Sequence, residues 1–357
     1  MKNGNIDPRS GWGVEDHVDA DVFRRLKAAG AVGVLLALAG IARATPTTLT
    51  GNYLEVGVSD YGTFGSDSRA EPGILVDPTG KGDFYPGGIP NDLLTPGTPH
   101  DGFAVISDQT GYLVNDNDET SSDFGVGSPI NTSVGPVQSA TWSGSTAGGL
   151  VILNTYAFGV HDEKIAITTT LTNTTSAAIT NLYFGRSEDP DPDLYLYNSY
   201  NSINTRGDAT YAPNELVSAA GARSGFTIGI LNTTALYPVN TSISYNCCYN
   251  SDPSRVFDGT DAADYNATYP RSDNGDYGLQ MAWSLGTLAV GDSATITYDY
   301  VFGSNQATVG TGGVTEPSTW ALLLIGVGGV GAALRRRSRL AGSGSYSAAN
   351  ASGAPAV

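Results

Sequence analysis

Two uncharged apolar stretches, Ala28 to Ile41 and Trp320 to Leu334, stand near opposite ends of a 357-residue chain, and the sequence between them is acidic and rich in turn residues. Such runs beside arginine clusters read as membrane-directed segments that bracket one folded unit. The first is preceded by Arg24-Arg25-Leu26-Lys27 and followed by Ala42-Arg43-Ala44 and then Thr45. A basic start, a short apolar middle and a small-x-small site are the three parts of a secretory signal, which places cleavage between Ala44 and Thr45. Residues 1–21 carry Glu15, Asp16, Asp19 and Asp21 where a signal should be basic, so the expected start is later, at Val22. The Arg pair lacks the flanking residues of a twin-arginine export signal.

The second stretch is uncharged from Trp320 to Leu334 and closes with Arg335-Arg336-Arg337-Ser338-Arg339. It is short of the ~17–25 residues of an ordinary spanning helix, a difference that flanking side chains and a thinned bilayer can make up. Trp320 suits the membrane interface, and the arginines belong on the cytoplasmic side. This orientation holds the preceding chain outside the inner membrane. Leu340 to Val357 form a small, polar tail with no expected fold.

In their order, Thr315-Glu316-Pro317, Trp320-Ala321, the Gly-rich apolar helix and the Arg cluster resemble the PEP-CTERM sorting signal, which is read by the membrane protease exosortase. Thr315 stands where that family usually has Pro. The resemblance implies a polysaccharide-producing bacterium of Gram-negative type, export, cutting near Glu316-Pro317, and passage to the cell surface or the extracellular matrix. It says little about the middle of the chain, because the same tail is attached to many unrelated domains.

Across residues 45–319, 8 Lys+Arg stand against 30 Asp+Glu, a net charge of −22. That surface repels nucleic acid, whose binding rests on Lys and Arg clusters, and favours cations. The simpler reading of the acidity is solubility of an exported protein. With 40% hydrophobic and 15% charged residues the chain can bury a core, and its Gly, Thr, Asn, Ser and Tyr content argues against a helical bundle. Alternating or continuous apolar, β-branched and aromatic runs predict strands over Leu150 to Phe158, Lys164 to Thr172, Ile179 to Gly185, Gly225 to Leu231, Gly278 to Leu285 and Ser293 to Phe302. In the last of these, Ile296, Tyr298, Tyr300 and Phe302 share one face. Residues 45–130, richer in Gly and Pro, predict early strands with long surface loops. The Thr95-Pro96-Gly97-Thr98-Pro99 loop, the Ile167-Thr168-Thr169-Thr170-Leu171-Thr172-Asn173 strand and the ending Leu288-Ala289-Val290-Gly291-Asp292 resemble large two-sheet supersandwich domains, some of them carbohydrate-active.

The densest polar cluster is Glu188-Asp189-Pro190-Asp191-Pro192-Asp193, directly after Leu182-Tyr183-Phe184. Carboxylates alternating with Pro on a stiff loop can bind a hard cation, so Glu188, Asp189, Asp191 and Asp193 are candidate calcium ligands. A solvated acidic loop is the alternative. Asn115-Asp116-Asn117-Asp118-Glu119 is a second acidic loop. His100 and His161 both read as surface loop histidines. Gly185-Arg186-Ser187-Glu188-Asp189 approaches a nucleophile elbow but lacks its final Gly, and 30 carboxylates leave no pair to choose for glycoside hydrolysis. No catalytic residue is therefore assigned. Gly326-Val327-Gly328-Gly329-Val330-Gly331 matches a dinucleotide fingerprint only by pattern, since it lies inside the anchor. Cys247-Cys248 can close a vicinal disulfide or remain thiols. Tyr195, Tyr197, Tyr200, Tyr245, Tyr249, Tyr265 and Tyr269, beside Asp and Asn, suit sugar stacking as well as they suit β-sheets.

The expected organisation is a leader and signal over 1–44, a large antiparallel β-sandwich ectodomain over 45–310, the sorting signal and transmembrane helix over 314–339, and a disordered tail over 340–357. The expected role is non-enzymatic binding or structure at the cell surface or in the matrix, with exosortase, the inner membrane and extracellular polysaccharide as partners and calcium as the one cofactor considered. The alternative is a glycoside hydrolase or lyase on the same scaffold.

Overall fold

The computed structural model describes residues 45–307 and 309, apart from 67–70, 95–99, 119–120, 245–251, 259–263 and 266–272. The signal segment, the sorting segment, the tail and Cys247-Cys248 lie outside the described residues. Among the described residues no helix is long and apolar enough to cross a membrane.

With strands numbered along the chain, β1 (Thr47–Thr50), β2 (Leu54–Val58) and β3 (Ile74–Val76) form a three-stranded sheet. A six-stranded sheet has the order β15 (Asp264–Tyr265), β14 (Val239–Ser244), β17 (Gly278–Leu288), β10 (Ile179–Glu188), β4 (Asp101–Ser107), β5 (Gly111–Asp116). The third sheet begins with β16 (Asp273–Gly275), β11 (Ser202–Arg206), β12 (Leu216–Gly221) and β13 (Thr227–Asn232). It continues through β18 (Ser293–Gly303), β9 (Lys164–Asn173), β8 (Leu150–Gly159), β7 (Val137–Ser145) and β6 (Ile130–Asn131), nine strands in all. Every pairing between these strands is antiparallel. Among the described residues, helix is limited to single turns such as α1 (Leu194–Tyr197) and α2 (Arg255–Asp258).

Period-two patterning accounts for the long strands. In β9, Ile165, Ile167, Thr169, Leu171 and Asn173 are buried, while the residues between them are half-buried on the outer face. On that outer face Thr and Ser pair across strands, with Thr170 and Thr295 hydroxyls 3.0 Å apart and those of Thr172 and Ser293 2.8 Å apart. In β18, Ile296, Tyr298, Tyr300 and Phe302 all face the core, as their alternation predicts. The core is shared by the two large sheets: Trp283 of β17 meets Tyr298 of β18 at 5.1 Å between ring centroids, and Phe103 of β4 meets Trp142 of β7 at 5.7 Å. The two sheets therefore bury one continuous apolar layer.

Inside that layer sits a charge. Arg186 of β10 is fully buried, and its guanidinium donates to Asp101 of β4 through both Nε, at 3.1 Å, and Nη2. The Tyr300 hydroxyl donates to Asp101 at 2.7 Å, and the Phe64 N–H does so at 2.6 Å. The Phe64 ring lies 5.1 Å below the guanidinium carbon and the Tyr300 ring 5.5 Å from it. Burial works against the charge on Arg186, yet the facing Asp101, with Tyr300, Tyr298 and Tyr156 around it, holds the guanidinium ionised above its ordinary range. Burial pushes the Asp101 carboxyl up, against the pull of Arg186 and of the Phe64 and Tyr300 hydrogen bonds. Removing one partner of such a pair costs about 3–5 kcal/mol, because the other is left charged and unmatched. In urea unfolding, Arg186→Met and Asp101→Asn are each expected to lose about that much, and the double variant to lose less than their sum. Additive losses would show that the pair is not coupled.

Candidate functional site

The chain leaves β10 through the acidic turn singled out above, and strand alternation sorts its side chains. Glu188 lies opposite Asp101 in the ladder, on the inner face with Arg186, whereas Ser187 lies opposite Gly102 and Gln280 on the outer face. His100 enters this outer layer from just before β4, with its Nε2 3.1 Å from the Ser187 hydroxyl. Gly102 makes room for the imidazole: a Cβ there would sit 3.3 Å from the ring. The expectation of a surface histidine is thus corrected for His100, which is fully buried. It holds for His161, whose Nδ1 meets the Asn52 amide at 3.1 Å on the exposed side. Burial lowers the His100 pKa to about 3, the nearby Asp118 carboxylate opposing this and Arg186 adding to it. The ring is therefore neutral at ordinary pH. Ser187 and His100 form a hydroxyl–imidazole pair of the type used in nucleophilic catalysis. Both are enclosed, with Ser187 2% and His100 0% exposed.

The four expected calcium ligands are all buried, so the solvated-loop alternative does not describe them. The backbone explains how an acidic run comes to be enclosed. The Asp189 N–H donates to the His100 carbonyl at 3.0 Å and the Asp191 N–H to the Leu93 carbonyl at 2.9 Å, tying the turn to the segments on either side of residues 95–99. Asp193 is turned away from its neighbours. Its oxygens accept from the Arg223 N–H at 2.6 Å and the Ser224 N–H at 3.1 Å, packed so closely on Gly221 that a Cβ there would be 2.4 Å from the carboxylate. Glu188, Asp189 and Asp191 remain, joined electrostatically by Asp276 just after β16. Among the described residues, no three His, Cys, Asp or Glu side chains converge on a point that could hold a metal ion. Asp193 thus serves as a cap for the Arg223 and Ser224 N–H groups.

Burial raises the pKa of the other three carboxyls. Burial, then Asp191 and Asp276, push Asp189 up to about 9; burial and Asp276 push Asp191 up to about 8. Glu188 is raised well above its ordinary range by burial first and then by Asp101, with Arg186 pulling the other way. In the expected second acidic loop, Asn115, Asp116 and Asn117 are likewise buried, and Glu119 lies outside the described residues. Asn115 donates to the Tyr61 and Gly125 carbonyls, and Asn117 donates to the Phe64 carbonyl while accepting from the Asp101 N–H. Of the tyrosines considered for sugar stacking, Tyr197 and Tyr200 are exposed, Tyr195 is half-buried, Tyr265 lies in β15, and Tyr245, Tyr249 and Tyr269 fall outside the described residues.

A carboxyl protonated in the folded state but not in the unfolded one supports folding fully below pH ~4 and loses that contribution as pH rises through its folded value. Buried neutral His100 has the opposite sign and acts below pH ~6.5. Between about pH 7 and 9 the carboxyls alone govern the slope, so the melting temperature is expected to fall across that window. Asp189→Asn should flatten the fall and raise the melting temperature at the alkaline end. An unchanged slope in that variant would contradict the assignment.

Comparison with known proteins bears on the end of the chain more than on this site. No curated protein matches the chain. Partial structural likenesses include a putative aldose 1-epimerase from Escherichia coli K12 with TM-score 0.36 and 15% identity, covering 72% of this chain and 99% of that one. A TPR-domain containing protein from Parabacteroides distasonis gives 0.41 and 9%, covering 76% of this chain and 49% of that one. An alpha-mannosidase from Enterococcus faecalis gives 0.37 and 8%, covering 74% and 30%. At TM-scores below 0.5 these likenesses fix neither fold family nor activity. Residues 313–337, by contrast, match the PEP-CTERM protein-sorting motif over the span that contains Thr315, Glu316, Pro317, Trp320, Arg335, Arg336 and Arg337. By its C-terminal segment, this chain is a bearer of the PEP-CTERM sorting motif.

Proposed function

We propose that this chain is an exported cell-surface or extracellular-matrix protein of a polysaccharide-producing bacterium, sorted through its C-terminal motif and acting there by binding or as a structural unit. The observation that carries the proposal is the motif at residues 313–337, which implies export and processing by exosortase at the membrane. In this reading the signal before Thr45 directs the chain outward, and the arginines after Leu334 stay on the cytoplasmic side until cleavage. A non-catalytic role is supported by the enclosure of a hydroxyl–imidazole pair, Ser187 with His100, and of the facing carboxyls Asp101 and Glu188. A carbohydrate-active enzyme would need acid and base open to a sugar chain.

Replacing Glu316 and Pro317 together by Ala removes the residues at the proposed cut and leaves the apolar stretch from Trp320 to Leu334 unchanged. The double variant is expected to accumulate in the inner-membrane fraction and to disappear from the surface and medium, as read by fractionation and immunoblotting. A distribution identical to that of the unaltered protein would remove the sorting role.

A further inference from the structure

A cavity of about 260 Å³ lies where the three-stranded sheet meets the ends of β9, β13 and β18. Three aromatic side chains line it: Tyr53 from the turn before β2, Phe226 just before β13, and Phe302 near the end of β18. Two carboxylates line it as well, Asp77 just after β3 and Glu163 just before β9, together with Ser304. No Lys, Arg or His is among the described residues of its lining. The cation adjacent in sequence, Lys164, is engaged elsewhere, its Nζ 2.7 Å from Asp299.

Asp77 is built to stay charged. Its carboxylate accepts from the Thr79 hydroxyl and N–H and from the Lys81 N–H, each at 2.8 Å, and from the Asp83 N–H at 3.0 Å. Burial works to raise it, and these hydrogen bonds, the Thr79 hydroxyl first, hold it below the usual carboxylate range. It is a fixed anion rather than a proton donor. Glu163 supplies a second negative charge at the same cavity on a half-exposed side chain.

Aromatic and acidic residues around one concavity, with no Lys, Arg or His among its described lining, are the chemistry that recognises an organic cation, through cation–π attraction and charge pairing together. The domain's field has the same sign, with a net charge of −22 over residues 45–319. The volume lies just under the ~300–1,000 Å³ of sites for drug-sized ligands, so the occupant is small. We propose that this cavity binds an ammonium group on a small organic molecule, of the size of a tetraalkylammonium ion or one protonated amino-sugar residue. The inference is independent of the sorting motif.

The test is titration calorimetry of the purified full chain at about pH 6.5 with tetramethylammonium, with glucosamine, and with N-acetylglucosamine as the uncharged ring. Both cations are expected to bind, and the acetylated sugar to bind at least about tenfold more weakly, the equivalent of about 1.4 kcal/mol. Glu163→Gln should weaken both cations several-fold with no change in melting temperature, because its side chain is half-exposed. Phe226→Ala reads the aromatic contribution separately, with the same weakening expected. Failure of both cations to bind, equal binding of the acetylated sugar, or unaltered cation affinity in Glu163→Gln would each overturn the proposal.

Discussion

A guanidinium with no access to water is the constraint around which the two large sheets are arranged. Arg186 can remain in the apolar layer only if Asp101, Tyr300 and Phe64 are all in place, and these come from β4, β18 and the segment after β2. A slip of one residue between β4 and β10 would turn Arg186 to the outer face and set apolar side chains against solvent. The ion pair adds little net stability over a well-packed apolar substitute, since desolvation offsets its attraction. What it does is make wrong registers costly. The same pairing carries Glu188 inward and Ser187 outward, and so sets out the polar cluster at the end of β10.

How much of this was legible in the sequence depended on the distance over which burial is decided. The strands β8, β9, β10, β17 and β18 were readable because alternation is a local pattern, and the shared face of Ile296, Tyr298, Tyr300 and Phe302 followed from period two alone. The inward fold of Glu188 to Asp193 was not readable. Asp193 is held by backbone N–H groups thirty residues further on, at Arg223 and Ser224, and nothing between them in sequence signals that contact. His100 was misread for the same reason: its partner Ser187 lies 87 residues away. The one local hint was Gly102, a glycine inside a strand, where the imidazole of His100, two residues earlier, comes close. The sorting motif, being linear and read in order, needed no tertiary information.

Function is divided along the chain in the same way. The motif at residues 313–337 concerns delivery, and the antiparallel sheets have their own apolar core. Burial raises the pKa of the enclosed carboxyls Glu188 and Asp189 and lowers that of the His100 imidazole, while Asp77 and Glu163 line a cavity.

The central claim is that the chain is carried out of the cytoplasm and trimmed at both ends. Intact mass spectrometry of the protein recovered from the producing cells reads both ends in one measurement. The account predicts a species that begins at Thr45 and ends near Glu316-Pro317. A product found inside the cell with Ala28 to Ile41 and Trp320 to Leu334 both retained would contradict it.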